Sequence, residues 1–254
     1  MKTVARISVS PVKGFRLRHP AEVTLDTDGV PGNRRFFVID ADGQRLRGSQ
    51  TPWFSLLAAD YDEDAEQLTV RFPDGTVASG AAEGNGERIR STAGTLQLDG
   101  SVVEGPWEAP MAEVAGKPVR LVRADRLDDV AMAPATIVSD GSLARLADVA
   151  GVTELDARRF RMLFELAGCR AHEEDEWEGE LLSIGDALVR VGTGVDRCAV
   201  TTRDPETAER DLDTLRLLAD YRGRRERDGA VSFGVYATVE RPGRVRVGDA
   251  VELA

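Results

Sequence analysis

Arg197-Cys198-Ala199-Val200-Thr201-Thr202-Arg203-Asp204-Pro205-Glu206-Thr207 is the stretch on which the reading of this chain turns. It carries one of only two cysteines; the other is Cys169. A guanidinium beside a thiol favours the thiolate, and Arg197 directly precedes Cys198. A thiolate is a soft ligand suited to a soft or high-valent metal. The same residue also reads as a buried structural cysteine, since cysteine is among the most buried residue types. The stretch Cys198 to Thr202 looks short and β-like.

Moving outward, basic residues recur at loop positions. Lys13 follows Pro11-Val12, Arg34 and Arg35 precede Phe36, and Arg158, Arg159 and Arg161 surround Phe160. Arginine grips phosphate and carboxylate with a planar pair of donors, so convergence of these residues would make an anion site. Taken singly, each is equally a solvated surface charge. The run Glu173-Glu174-Asp175-Glu176 beside His172 offers hard oxygen ligands for a divalent cation, or else a solvated acidic loop. Cys169 lies near it without a metal-ligand partner at standard spacing. His19 and His172 are the only histidines, too few for zinc without carboxylate help.

The flanking sequence is mostly strand. Val4 to Val9, Val23 to Leu25, Phe36 to Ile39, Phe54 to Leu57 and Leu68 to Phe72 are separated by Asp28-Gly29, Pro31-Gly32, Asp42-Gly43 and Pro73-Asp74-Gly75 turns. Residues 79–100 read as loops joining short edge strands. Gly116-Lys117-Pro118 marks a boundary, after which Val119 to Val122 opens the second half as a strand. Leu143, Leu146 and Val149 give one apolar face to a helix over Ser139 to Gly151, capped by Ser139 or Asp140. Phe160 to Leu166 reads as a strand, Leu181 to Val191 as a hairpin around Gly185-Asp186, and Leu212 to Tyr221 as a helix. Val231 to Val239 and Val245 to Leu253 end the chain as strands. Strands do not alternate with long helices, so antiparallel, barrel-like sheet fits better than a doubly wound fold.

Bulk properties narrow the function classes. The 254 residues suit one large domain or two small ones. A formal net charge of −11 argues against nucleic-acid binding and against docking on anionic membranes. No apolar run approaches a membrane span and no secretory signal is evident, so a cytoplasmic location is expected. P-loop, dinucleotide-binding and nucleophile-elbow motifs are absent.

The motifs in order resemble the MOSC family. Pro11-Val12-Lys13-Gly14 and Gly32-Asn33-Arg34-Arg35-Phe36 resemble the N-terminal β-barrel domain that precedes many MOSC domains. Val138-Ser139-Asp140-Gly141-Ser142-Leu143, Arg159-Phe160-Arg161, Glu174 to Gly179 and Arg197 to Thr207 resemble the MOSC domain itself. Tyr221-Arg222, Phe233-Gly234-Val235-Tyr236 and Val247-Gly248-Asp249 complete the order. The resemblance implies an α+β, mainly β fold: an N-terminal β-barrel-like domain over residues 1–116, then a MOSC β-barrel with a few peripheral helices over 117–254. It implies a molybdenum–pterin cofactor of the molybdopterin type in a cleft between the two. Cys198 would be the metal ligand and catalytic residue. Lys13 with its neighbour Gly14, Arg35 and Arg161 would hold the pterin phosphate or edge, and Ser139, Arg197 and Tyr236 would line the same pocket.

The family includes amidoxime-reducing enzymes, so the resemblance implies an oxidoreductase that reduces N-hydroxylated small molecules with electrons from a separate donor protein. A non-catalytic carrier of the cofactor, or of sulfur on Cys198, is the alternative. A module that kept the fold and lost the cofactor is a third. Pyridoxal phosphate binding attaches to the family only as a general label. Two departures bear on the site. Gly14 stands where the reductases carry a polar residue, and Phe160-Arg161-Met162-Leu163 replaces their Phe-Arg-Pro-Asn. Leu163 then either faces the pocket or turns into the core. Neither a ferredoxin-like domain after Leu253 nor a membrane anchor before the barrel is expected.

Overall fold

The computed structural model describes residues 1–93, 96–126 and 132–254. The chain begins with β1 (Lys2–Ile7), β2 (Glu22–Leu25) and β3 (Phe36–Asp40), then β4 (Ala58–Asp62), β5 (Gln67–Arg71), β6 (Val77–Ala81), β7 (Arg88–Ala93) and β8 (Leu96–Val103). Helix α1 (Glu108–Ala115) leads to β9 (Val119–Ala124). After β10 (Ala135–Ser139) come helix α2 (Asp140–Ala150), β11 (Phe164–Ala167) and the hairpin of β12 (Leu181–Ile184) with β13 (Ala187–Asp196). Helix α3 (Thr214–Arg222) precedes β14 (Ser232–Arg241), β15 (Gly243–Arg246) and β16 (Ala250–Leu253).

Seven strands close a barrel in the order β1-β11-β10-β14-β13-β12-β16, with β16 returning to β1. Every pairing is antiparallel except β10 with β11. Alternation along the strands fills the barrel with Ile7, Phe164, Leu166, Val189, Val235 and their neighbours. Outside it, α2 and α3 cover a second cluster around Phe160, Phe233, Leu146 and Leu218. The other unit is a four-stranded sheet, β3-β9-β8-β7, with the meander β4-β5-β6. Its largest core encloses Phe15, Phe36, Phe54, Leu121 and Trp107.

Chain order and space disagree at both ends of the first half. β1 is a barrel strand, and β2 pairs with β15 beside the barrel, although both lie within residues 1–116. Conversely β9, expected to open the second half, joins β3 and β8 in the first unit's sheet. The division at 116/117 is therefore one of chain order, and the two units exchange strands across it. Strand pairing is non-local, so a linear reading of composition cannot assign a strand to its sheet.

Local departures have local causes. Phe54 to Leu57, expected as a strand, lies largely within a 3-10 turn over Pro52–Leu56, which starts on a proline whose fixed φ suits a helical first position. Cys198 to Thr202 is likewise not β: Ala199–Thr202 is a 3-10 turn with Cys198 at its N-terminal boundary. Only Phe164–Ala167 of the expected Phe160 strand is extended. Within 79–100, β6, β7 and β8 are longer than the expected edge strands; residues 94 and 95 lie outside the described residues. Helix α2 is capped as expected, the Ser139 side chain accepting from the Ser142 amide and Gly151 closing it in the left-handed region. Among the described residues no helix is long and apolar enough to cross a membrane.

Candidate functional site

The chain crosses from the barrel to the second unit between Ile7 and Val12, which belong to different cores. Backbone bonds staple this crossing: Ser8 N donates to Leu163 O (2.8 Å), Arg34 N to Ser10 O (2.7 Å) and Lys13 N to Phe36 O (2.8 Å). A cavity of about 420 Å³ opens beside it, between the two units. That lies within the range of roughly 300–1,000 Å³ typical of small-molecule and cofactor sites.

Six of the residues that the family resemblance assigns to the site meet there: Lys13, Gly14, Arg161, Arg197, Cys198 and Tyr236 all line the cavity, as do Arg34, Arg158 and Arg159 of the basic set. Cys198 follows β13, whose register against β14 shifts between Val191 and Gly194 and again between Gly194 and Asp196. Such bulges re-aim a strand end, and this one delivers an exposed thiol to the cavity. Arg161 follows a 3-10 turn (Ala157–Phe160) capped by Asp156, and adopts φ +54°. Its Nη2 donates to Phe15 O (2.6 Å), and its own carbonyl accepts from Arg34 Nη2 (2.8 Å). Arg34 also sits at φ +54°. Non-glycine residues held in the left-handed region are uncommon and cluster at functional sites. Gly14, at φ +95°, suits a position where any side chain is strained; open space lies where a Cβ would point, so its absence enlarges the cavity.

Two of the expected site residues lie outside the cavity wall. Arg35 does not line the cavity; Arg34 does. The left-handed turn at Arg34 directs that side chain to the cavity, and the next residue faces the other way. The charge of Arg35 acts instead on Tyr61, Glu66 and Asp125. Ser139 is fully buried away from the cavity. Its hydroxyl donates to Glu174 Oε2 (2.6 Å) and it caps α2, so its role is structural. Arg197 lines the cavity, yet its guanidinium is engaged with Phe160 O (2.9 Å), Phe233 O and Met162 Sδ (2.8 Å). It braces the Phe160-Arg161 turn against β14. Leu163 turns into the barrel core, its amide donating to Thr136 Oγ1 (2.8 Å).

The acidic run fits neither of its readings. Glu173–Trp177 is a 3-10 turn with Glu173 and Glu174 buried. Glu174 accepts from Ser139, while Glu173 pairs with Lys2 (2.9 Å) and accepts from the Arg170 amide (2.7 Å). Burial pushes the Glu174 carboxyl up, against the pull of the Ser139 and Ser142 hydroxyls. Among the described residues no cluster of three or more His, Cys, Asp or Glu could hold a metal ion. Cys169 is half-buried against the barrel core. Burial, then Asp140, Glu173 and Glu174, push its thiol up to about 12, so it stays protonated and is a poor ligand.

The cavity's electrostatics run against those of the chain. Burial lowers the pKa of Lys13 well below its ordinary value; Arg45, Arg34 and Arg161 add to this, while Cys198 acts the other way. Burial and Arg34 lower Arg161 as well. Among the described residues two carboxylates line the cavity, and both are engaged, Asp204 also by Arg159 (3.7 Å). Asp196 accepts from Arg225 Nη2 (2.7 Å), and Asp204 accepts from the amides of Glu206 (2.8 Å) and Thr207 (2.9 Å). Arg45, which sequence reading missed, places Nε and Nη1 in the interior without a hydrogen-bond partner. Its signal was the pair Arg45 and Arg47 just after the Asp42-Gly43 turn. Half-buried cations, an exposed thiol and the space beside Gly14 suit an anionic cofactor with a soft metal; nothing in the donor set conflicts with it.

Comparison with known proteins agrees with this architecture. Residues 114–252 match the MOSC domain and residues 1–104 the MOSC N-terminal beta barrel domain. Mitochondrial amidoxime-reducing component 1 of Homo sapiens is 27% identical over 99% of this chain and 82% of its own length. Mitochondrial amidoxime reducing component 2 of Homo sapiens is 38% identical over 46% of this chain and 36% of its own. Among solved structures, the YUAD protein from Bacillus subtilis covers 100% of this chain and 96% of its own, at TM-score 0.48 and 14% identity. With the MOSC model spanning more than half of its residues and the N-terminal barrel model most of the rest, the chain belongs to the MOSC domain family.

Proposed function

We propose that this chain holds a molybdenum–pterin cofactor through the Cys198 thiolate and reduces N-hydroxylated small molecules with electrons from a separate protein. The observation that carries the reading is the exposed thiol of Cys198 in a cavity where, among the described residues, lining cations outnumber carboxylates, within a chain of net charge −11. The names of the similar proteins, amidoxime-reducing components, supply the substrate class.

Each residue then has a task. Lys13, Arg34 and Arg161 bind the phosphate, and their mutual repulsion is relieved by the ligand's charge. Arg34 and Arg161 hold each other's geometry through the Arg34 Nη2 bond to Arg161 O. Arg197 fixes the turn that carries Arg161. Met132, Met162, Leu17 and Phe160 give the cavity apolar wall that limits water at the reacting centre. Burial raises the pKa of the Tyr236 hydroxyl, which therefore stays protonated at neutral pH and serves as a donor on the wall. When bound, the cofactor supplies two-electron oxygen-atom chemistry. Overall, two electrons and two protons enter, the N–O bond breaks and water leaves. Only two cysteines are present and no flavin or nicotinamide fingerprint, so the electrons come from another protein. Two free thiols suit a reducing compartment, and we assign the chain to the cytoplasm.

The test is metal and pterin analysis of protein purified from a host that makes the cofactor, followed by turnover of an amidoxime with reduced viologen dye. Near-equal molybdenum and pterin with turnover supports the reading. Absence of molybdenum after reconstitution overturns it. Stable loading without turnover favours a carrier of the cofactor.

A further inference from the structure

Arg45 is the cavity cation least explained by a phosphate grip. Its backbone is fixed: the amide donates to the buried Ser91 Oγ (3.0 Å), Arg45 bridges Ile39, and the next amide, Leu46 N, donates to Val38 O (2.8 Å). The side chain lies in the cavity wall with Nε and Nη1 buried and unpartnered. Arg47, two residues on and so on the same side of an extended segment, also lines the cavity. The two guanidiniums repel each other, and Arg47 is the charge that most lowers Arg45. Among the described residues the cavity wall's carboxylates are Asp196, engaged by Arg225, and Asp204, engaged by the Glu206 and Thr207 amides and by Arg159 (3.7 Å). Gly48 brings this loop against the segment of Cys198: a Cβ there would meet Val200 Cγ2 at 2.8 Å. Arg45 accordingly feels the charge of Cys198.

We infer that Arg45 and Arg47 form a second anion clamp beside Cys198, which selects N-hydroxylated substrates bearing a carboxylate. The inference rests on the reductase reading for the reacting group, while the clamp itself rests on the loop geometry. A planar carboxylate matches paired guanidiniums, and its binding gives the two buried donor atoms of Arg45 acceptors they lack. The same chemistry could instead take a second oxyanion of the cofactor, and the experiment separates these sources.

Titration calorimetry with benzoate and with uncharged benzamide is carried out on the protein as purified, on Arg45→Met and on Arg47→Met. Molybdenum content is measured alongside, with kcat/KM for a carboxylated benzamidoxime and its uncharged parent. The wild type should prefer benzoate to benzamide. Arg45→Met should lower benzoate affinity on the order of 10- to 100-fold and reduce the carboxylate-to-parent kcat/KM ratio similarly, with molybdenum content retained. Arg47→Met, at an exposed position, should give a smaller loss of the same kind. Unchanged benzoate binding in Arg45→Met would overturn the inference. So would loss of molybdenum in that variant, which would assign Arg45 to the cofactor. A wild type without molybdenum or amidoxime turnover would overturn the reductase reading, and benzoate binding would then judge the clamp by itself.

Discussion

Replacing Arg161 with alanine should separate what the cavity does for the fold from what it does for a ligand. In the wild type the guanidinium donates to Phe15 O at 2.6 Å, a charge-assisted bond contributing about 1.5–3 kcal/mol. Phe15 O is left with only a long contact to Ser10 Oγ (3.4 Å), whose single proton already serves Val12 O (2.9 Å), so this loss of a hydrogen bond is largely uncompensated. Against that loss stands the removal of a half-buried cation repelled by Arg34 and Lys13, whose partial desolvation also opposes folding. The backbone term cancels, because alanine at φ +54° is strained much as arginine is. The carbonyl that receives Arg34 Nη2 is retained. The ligand-free variant should therefore stay close to the wild type in stability. Each kcal/mol corresponds to about 2–4 °C in Tm for a chain of this size. Phosphate affinity should fall by roughly 10- to 100-fold, from the loss of one charge-assisted contact. Thermal unfolding and calorimetric titration with inorganic phosphate read the two effects. A fall in Tm of several degrees with phosphate affinity unchanged would refute the assignment of Arg161 to the anion and make it a structural crosslink.

Two further outcomes follow from the same geometry. Ser139→Ala removes both the cap of α2 and the short bond to buried Glu174; it should cost about 2–4 kcal/mol of stability, read by denaturant unfolding, and leave cofactor loading per folded chain unchanged. A ligand phosphate restores the charge of Lys13, whose folded pKa is depressed, so phosphate affinity should be full below that pKa and decline as pH rises through it; a flat profile from neutral to alkaline pH would exclude Lys13 from the anion site.

Local chemistry made much of the fold legible, and non-local geometry hid the rest. Val23 to Leu25, Phe36 to Ile39 and the Gly185-Asp186 hairpin were readable because alternation and turn residues act within a few positions. Helix α1 was missed because Pro106 and Pro110 disguise it; Pro110 falls in the first turn, where no amide need be donated. The exchange of β1 and β9 between the units left no local trace. At the candidate site, motif order singled out Cys198, Lys13 and Arg161, which line one cavity. It pointed to Arg35, whereas Arg34 lines the cavity, because a left-handed residue there cannot be read from the sequence. Ser139 shows the converse: a motif residue that the fold uses to hold Glu174 and α2. Arg45 showed in the sequence only as half of an Arg45/Arg47 pair, and the approach of its loop to Val200 is what the sequence did not show.

The central claim, that the Cys198 thiolate is the protein's bond to the metal, is tested most directly by molybdenum X-ray absorption on loaded wild type and Cys198→Ser. A hydroxyl is a poor substitute for a soft thiolate, and Lys13, Arg34 and Arg161 remain to hold the phosphate. The expected result is one fewer sulfur neighbour in the variant, with pterin still bound. An identical sulfur count in both proteins, or its loss in Cys169→Ser instead, would contradict the claim.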